Sequence, residues 1–240
     1  AHTPFRWHKD AFKIAKKYNK VLFSSPFSIR AVDLLEKFNC QIYKIASFEI
    51  TDLKLINYIA SKNKPIIIST GMASFKEISR ALIEIRKFHN KIIVMHCVSS
   101  YPTNLEDINL KRINKLKKIY NSCLVGLSDH TEDIISSLLS ISYGVVAIEK
   151  HFKLSNKNQT VDSTFSITPK ELSKLKSSSL SVYNSYKKKP KKSEKISIKL
   201  RRSIYAIEDI EKNSFLSEKN IETFRPFVGI CASEYFKVLG

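Results

Sequence analysis

Glycine is scarce in this chain, with five in 240 residues, beside seven prolines, four cysteines, two methionines and one tryptophan. No G-x-G-x-x-G and no Walker pattern is present, so the phosphate-binding turn usual in open nucleotide-binding sheets is missing. No apolar run reaches the length of about 18 residues that a membrane-spanning helix needs, and no membrane partner is expected. The opening segment "AHTPFRWHKD" has neither the apolar stretch nor the small-residue cleavage site of a secretory signal. It also lacks a methionine, so the chain is not expected to begin at a natural start. Cys40, Cys97, Cys123 and Cys231 form no C-x-x-C and no zinc spacing. Cys97 and Cys123 lie in apolar stretches, where a cysteine packs as a small hydrophobe. A reducing, cytoplasmic setting is therefore expected. Acidic residues are few: 22 against 41 lysines and arginines, a net charge of +19. The lysines are spread along the chain among Ile, Asn and Ser, which reads as solvated basic faces. Nucleic acid is not the expected partner, although Lys187–Lys192 would be the place for it. Attraction of an anionic small molecule is a further consequence of the charge.

Against these absences stands a regular series of apolar runs: "VLFSS" (Val21–Ser25), "YKIAS" (Tyr43–Ser47), "PIIIST" (Pro65–Thr70), "IIVMHC" (Ile92–Cys97), "LVGLSDH" (Leu124–His130) and "VVAIEKHF" (Val145–Phe152). Each is short, rich in Ile and Val, and without clean polar alternation, as in strands covered on both faces. Helical spacing appears between them at Ile29–Lys37, Leu53–Ala60 with Thr51 or Asp52 as cap, Phe75–Phe88 and Glu132–Tyr143, and after them from Lys170 to about Tyr186. The alternation predicts repeated βαβ units. Polar residues gather at the C-terminal ends of the runs, where a β/α barrel places its active site. The expected fold is α/β, a (β/α)8 TIM-type barrel of which this chain carries strands three to eight over residues 1–186, the first two lying before Ala1. Residues 187–195 read as a Lys-rich linker, and 196–240 as a small, separate β-rich domain.

His130 and His151 end neighbouring predicted strands. They read either as hydrogen-bonded core residues or as two ligands of one divalent metal, with positions left open for water and substrate. Lys44 inside an apolar strand needs a partner. A phosphate or carboxylate ligand, a Schiff base, or an acid such as Glu49 would supply one. Ser25, Ser47, Ser69 and Ser128 add hydroxyls suited to phosphate oxygens. Asp129 and Glu149 either orient the histidines or cap the helices that follow.

The segments "YKIASFEITDLKLI", "KPIIISTGMAS", "HCVSSYP", "GLSDHT", "IEKHF" and "VDSTFSITP" together resemble the sialic acid synthase family. Within that family "KIASFE" and "DSTFS" are most like the pseudaminic acid branch. The tail "DIEKNSFLSEKNIETFRP" resembles the family's SAF (antifreeze-like, β-clip) domain. The resemblance implies a metal-dependent condensation of phosphoenolpyruvate with an open-chain acetamido-sugar aldehyde, giving a nine-carbon 2-keto acid and phosphate. In the pseudaminic branch that sugar is 2,4-diacetamido-2,4,6-trideoxy-altrose. The N-acetylneuraminate and N,N'-diacetyllegionaminate branches, or a remnant that binds without turnover, are the alternatives. The resemblance assigns Mn2+ or Mg2+ to His130 and His151, and phosphoenolpyruvate to Ser25, Lys44, Ser47, Ser69, Ser99 and Ser128. It gives the sugar to Asp162 and Arg225, and places Glu149 with the histidines among the catalytic groups. Arg225 would serve the partner subunit's site, which implies a domain-swapped homodimer.

Two positions of the tail depart from the family's pattern. Asn213 stands where a turn glycine is usual, a replacement that tolerates a positive φ. Phe227 stands where glycine commonly follows "RP".

Overall fold

A computed structural model describes residues 3–157, 160–186 and 194–240. The chain divides into two compact units, Ala1–Tyr186 and Lys187–Gly240. Residues 187–193 of the predicted linker lie outside the described residues.

In the first unit, helices α1 (Phe5–Lys17) and α2 (Ile29–Lys37) precede β1 (Tyr43–Ile45), and α3 (Leu53–Ala60) leads to β2 (Ile66–Ser69). Then follow α4 (Phe75–Arg86), β3 (Ile92–Cys97), α5 (Lys111–Ile119), β4 (Leu124–Asp129), α6 (Ile135–Ser142), β5 (Ile148–Lys150) and α7 (Pro169–Tyr186). The five strands pair in the order β1-β2-β3-β4-β5, and every pairing is parallel. An open doubly wound sheet reverses its strand order at a switch point. Here each strand lies beside its neighbour in sequence, which is the order of a barrel wall. The unit is a curled parallel half-barrel with helices along one side.

The register separates two faces with a period of two. Tyr43, Ile45, Ile66, Ile68, Ile92 and Val94 are buried against Ile56, Ile59, Ile78, Leu82, Ile85, Ile113 and Leu116 of the helices, forming one continuous core. The opposite face carries Lys44, Ser69, Met95, Cys97, Gly126, Ser128 and Glu149, in register across the strands. Gly126 is required there: a Cβ would stand 2.3 Å from Met95 Sδ and 2.8 Å from the Ala147 carbonyl oxygen. Helix starts are fixed locally. Ser28 accepts from the Ala31 N–H, Asp52 accepts from the Leu55 N–H, and Ser74 with Glu77 closes a reciprocal capping box.

The structure departs from the sequence-based expectation in several places. Six strands are predicted and five form. Val21–Ser25 contributes only an isolated bridge, Ser24 to Tyr43, with the Lys44 N–H donating to the Ser24 carbonyl at 3.3 Å. It meets the sheet on one side, and one bridge does not make a ladder. The last strand is shorter than Val145–Phe152, although Val146 N–H already donates to Val125 O. Helices α1 and α5 escape the periodicity reading because α1 has no buried residue and α5 buries only Ile113 and Leu116 among five basic residues.

The second unit contains α8 (Lys195–Ile198), an antiparallel pair β6 (Ser203–Ala206) and β7 (Ile221–Phe224), and α9 (Tyr235–Val238). Among its described residues the β-structure is this one pair, extended by a bridge from Ser203 to Cys231. Asn213 adopts φ 72°, the left-handed conformation its place in a turn calls for. Among the described residues no helix is long and apolar enough to cross a membrane.

Candidate active site

The inner face of the sheet carries its polar groups at the C-terminal strand ends. On β1, Lys44 points away from Tyr43 and Ile45, and its ammonium donates to Ser69 Oγ at 2.7 Å. The same ammonium lies 3.5 Å from Glu149 Oε1 on β5, and Ser128 on β4 donates to that oxygen at 2.6 Å. Lys44, Ser69, Ser128 and Glu149 thus form one network across the sheet. The sequence offered Glu49 as an acid for Lys44. Glu149 takes that place, because the curl of the sheet brings the far strand to β1.

Ser47 follows β1 in a short 3-10 turn, accepts from the Gly71 N–H at 3.1 Å and faces the Cys97 thiol at 3.6 Å. Ser99, just past β3, has a buried hydroxyl without a hydrogen-bond partner. A cavity of about 420 Å³ beside β2 and β3 is lined by Cys97, Ser99, Thr70, His96 and Arg112. Ser25 stands outside the network: it lines a separate cavity of about 320 Å³ with Phe27, Leu34 and Leu35.

One step beyond β4 and β5, the strand alternation places His130 and His151 on the same face as Ser128 and Glu149. Their rings meet edge to face with centroids 5.3 Å apart. His130 Nδ1–H donates to the Val98 carbonyl at 2.9 Å. With the proton on Nδ1, Nε2 keeps a free lone pair. His151 Nδ1 lies 3.6 Å from Asp162 Oδ2. Burial, with some addition from His151, pulls the His130 imidazole below its ordinary pKa, which favours the neutral form that binds metal.

Among the described residues no group of three or more His, Cys, Asp and Glu is gathered to hold a metal. The donor set is two imidazoles with a carboxylate close to one. Such a set fits a divalent ion that keeps coordination places for substrate and water.

Asp129 and Glu149 do not hydrogen-bond the histidines. Asp129 is fully buried on the outer face. It accepts from Thr131 N–H and Oγ1, from Ser136 Oγ and from Ser137 Oγ at 2.9, 2.8, 2.8 and 2.5 Å. Burial alone would raise its pKa. The Ser137 hydroxyl, the Lys150 ammonium and Thr131 outweigh that and hold it below the usual carboxylate range. These bonds tie Asp129 to the start of the following helix, and none of them reaches a histidine ring. Arg225 lies in the second unit, exposed after β7.

Two site residues carry no clear signal in the sequence. Tyr101 stacks on His130 with centroids 4.3 Å apart, and Phe165 lies 4.8 Å from His151. An aromatic residue read alone signifies core, and only proximity to strand ends in space marks these two. Glu49 has a buried Oε2 with no hydrogen-bond partner, and burial pushes its carboxyl above the ordinary range despite Lys44.

The half-barrel thus gathers a lysine–hydroxyl–carboxylate network and two imidazoles at its strand ends on one face. The sequence model of the NeuB family matches residues 1–191, and the chain belongs to that family. It is 41% identical to pseudaminic acid synthase of Helicobacter pylori over 100% of this chain and 72% of that one. To N,N'-diacetyllegionaminic acid synthase of Campylobacter jejuni it is 39% identical over 97% and 72%. Among solved structures, N-acetylneuraminic acid synthetase of Leptospira borgpetersenii, in complex with citrate, superposes with a TM-score of 0.77 at 32% identity, covering 82% of this chain and 70% of that one.

Proposed function

We propose that this chain carries the catalytic centre of a nonulosonic acid synthase of the pseudaminic type. It condenses phosphoenolpyruvate with 2,4-diacetamido-2,4,6-trideoxy-altrose and releases phosphate. The observation that carries the reading is the network of Lys44, Ser69, Ser128 and Glu149 on the same face as His130 and His151. Phosphoenolpyruvate bears about three negative charges near neutral pH. Lys44 and the hydroxyls of Ser47, Ser69, Ser99 and Ser128 bind and orient it. The incoming anion displaces Glu149 from Lys44, and the freed carboxylate takes the proton of the water that adds at C2. His130 and His151 would hold a divalent ion, which would supply Lewis acidity to the aldehyde. Asp162, beside His151, takes sugar hydroxyls. Tyr101 and Phe165 pack against the two imidazoles and restrain their orientation. Within the same reading the second unit is a SAF domain and the protein is a homodimer.

A legionaminate synthase is the second reading, favoured by the 39% identity to the Campylobacter jejuni enzyme. Phosphate release is the assay, run on the full-length protein with Mn2+ and with each of the altrose, the legionaminate precursor and N-acetylmannosamine. Release is expected with the altrose and lost on chelation. Absence of product with all three sugars would end the proposal.

A further inference from the structure

The register of β4 and β5 alternates two kinds of pair. Ser128 stands opposite Glu149 on the inner face, and Asp129 stands opposite Lys150 on the outer face. His130 and His151 follow directly. The Lys150 ammonium lies 3.2 Å from Asp129 Oδ2, with side chains 3% and 0% exposed. Lys150 also donates to the carbonyl of Thr131, the residue after His130. From the other side, the Thr103 N–H donates to the His130 carbonyl at 3.0 Å. The backbone around His130 is therefore held on both flanks, and one holding group comes from the strand that carries His151.

We propose that Asp129 and Lys150 are positioning residues that set the spacing and common face of the two imidazoles, and that metal affinity depends on this pair. The inference rests on the metal-dependent reading of the site. The β4–β5 ladder is three residues long, preceded by backbone bonds from Val146 to Val125 and from Leu127 to Ala147, and Asp129–Lys150 is its last rung. The two histidines lie just beyond this rung, and a slip of one residue there turns side chains to the opposite face. Such a slip would send His151 outward while His130 stayed inward. A buried apolar pair would supply stability equally well, but it would lack the directed link from Lys150 to both Asp129 and the Thr131 carbonyl.

The test is direct Mn2+ binding to the full-length protein, read by electron paramagnetic resonance of free Mn2+. The variants are Lys150→Met, Asp129→Asn/Lys150→Met, Lys150→Arg, and the remote core change Leu82→Ala on α4. Each is measured at a temperature where circular dichroism shows it folded. The positioning role predicts Mn2+ affinity about 10–100-fold weaker in Lys150→Met and in the double variant, within a few fold of wild type in Lys150→Arg, and unchanged in Leu82→Ala. Where Lys150→Met does not fold, the double variant, which leaves no buried charge unpaired, carries the comparison. Wild-type affinity in the double variant would overturn the proposal. So would an equal loss in Leu82→Ala, which would reduce the pair to general stability. A wild type that binds no Mn2+ would remove the metal reading and this inference together, whereas wild-type binding with unaffected variants would remove this inference alone.

Discussion

Lys44 shows how one side chain changes meaning when its partners are known. A lysine in a three-residue strand is tolerated because Ser69 and Glu149 satisfy it, and its alternation away from Tyr43 and Ile45 turns it to the polar face. Replacing Lys44 with Met removes the only cation in this network. The Michaelis constant for phosphoenolpyruvate is expected to rise by about 10-fold or more, as loss of a charge-assisted hydrogen bond implies. Steady-state phosphate release measures it, and an unchanged constant would place the phosphate elsewhere. His151→Ala is expected to weaken Mn2+ binding by at least about 100-fold, read by titration calorimetry. A variant that still binds Mn2+ tightly would exclude His151 as a ligand.

At the scale of the element, most of what the sequence announced is there. Helices α2 and α3 occupy the predicted residues, and β3 coincides with Ile92–Cys97. Their signals are local: a cap, a 3.6-residue period or an Ile/Val run is legible without knowing the fold. Val21–Ser25 reads equally well as a strand, but a strand also needs a neighbour, and its apolar run cannot say how many hydrogen bonds it will find. Gly126 belongs to this scale as well. The inner face passes so close to the Ala147 carbonyl that a methyl group there must displace backbone. Gly126→Ala is expected to destabilise the protein by about 1–3 kcal/mol, measured by the urea midpoint. An unchanged midpoint would mean the strands separate without strain.

At the scale of the whole molecule, burial of imidazoles sets a pH dependence. Burial is the largest cause in lowering the pKa of His89, His96 and His130. In the unfolded chain these groups titrate near about 6.5. Between that value and their lower folded values the unfolded state binds more protons, so acidification favours unfolding. The stability contributed by the neutral histidines is complete above about pH 6.5 and is lost as pH falls through that window. Urea midpoints taken from pH 8 to pH 5 should fall on the acidic side, and a midpoint that rose on acidification would contradict the burial of these rings.

The sequence by itself determined the alternation of strand and helix, the polar strand ends, and the residues His130, His151 and Lys44 as the chemically unusual ones. Those features are written in periods of two and 3.6 residues and in side-chain type. Only the tertiary structure decided which groups meet. It paired Lys44 with Glu149 across the half-barrel, turned Asp129 to the outer face with Lys150, set Ser25 in another cavity, and brought Tyr101 and Phe165 against the imidazoles. Each of these depends on register and curl, which act between residues far apart in the chain. A one-dimensional pattern specifies which face a residue takes on its own strand, but not the residue it finds there.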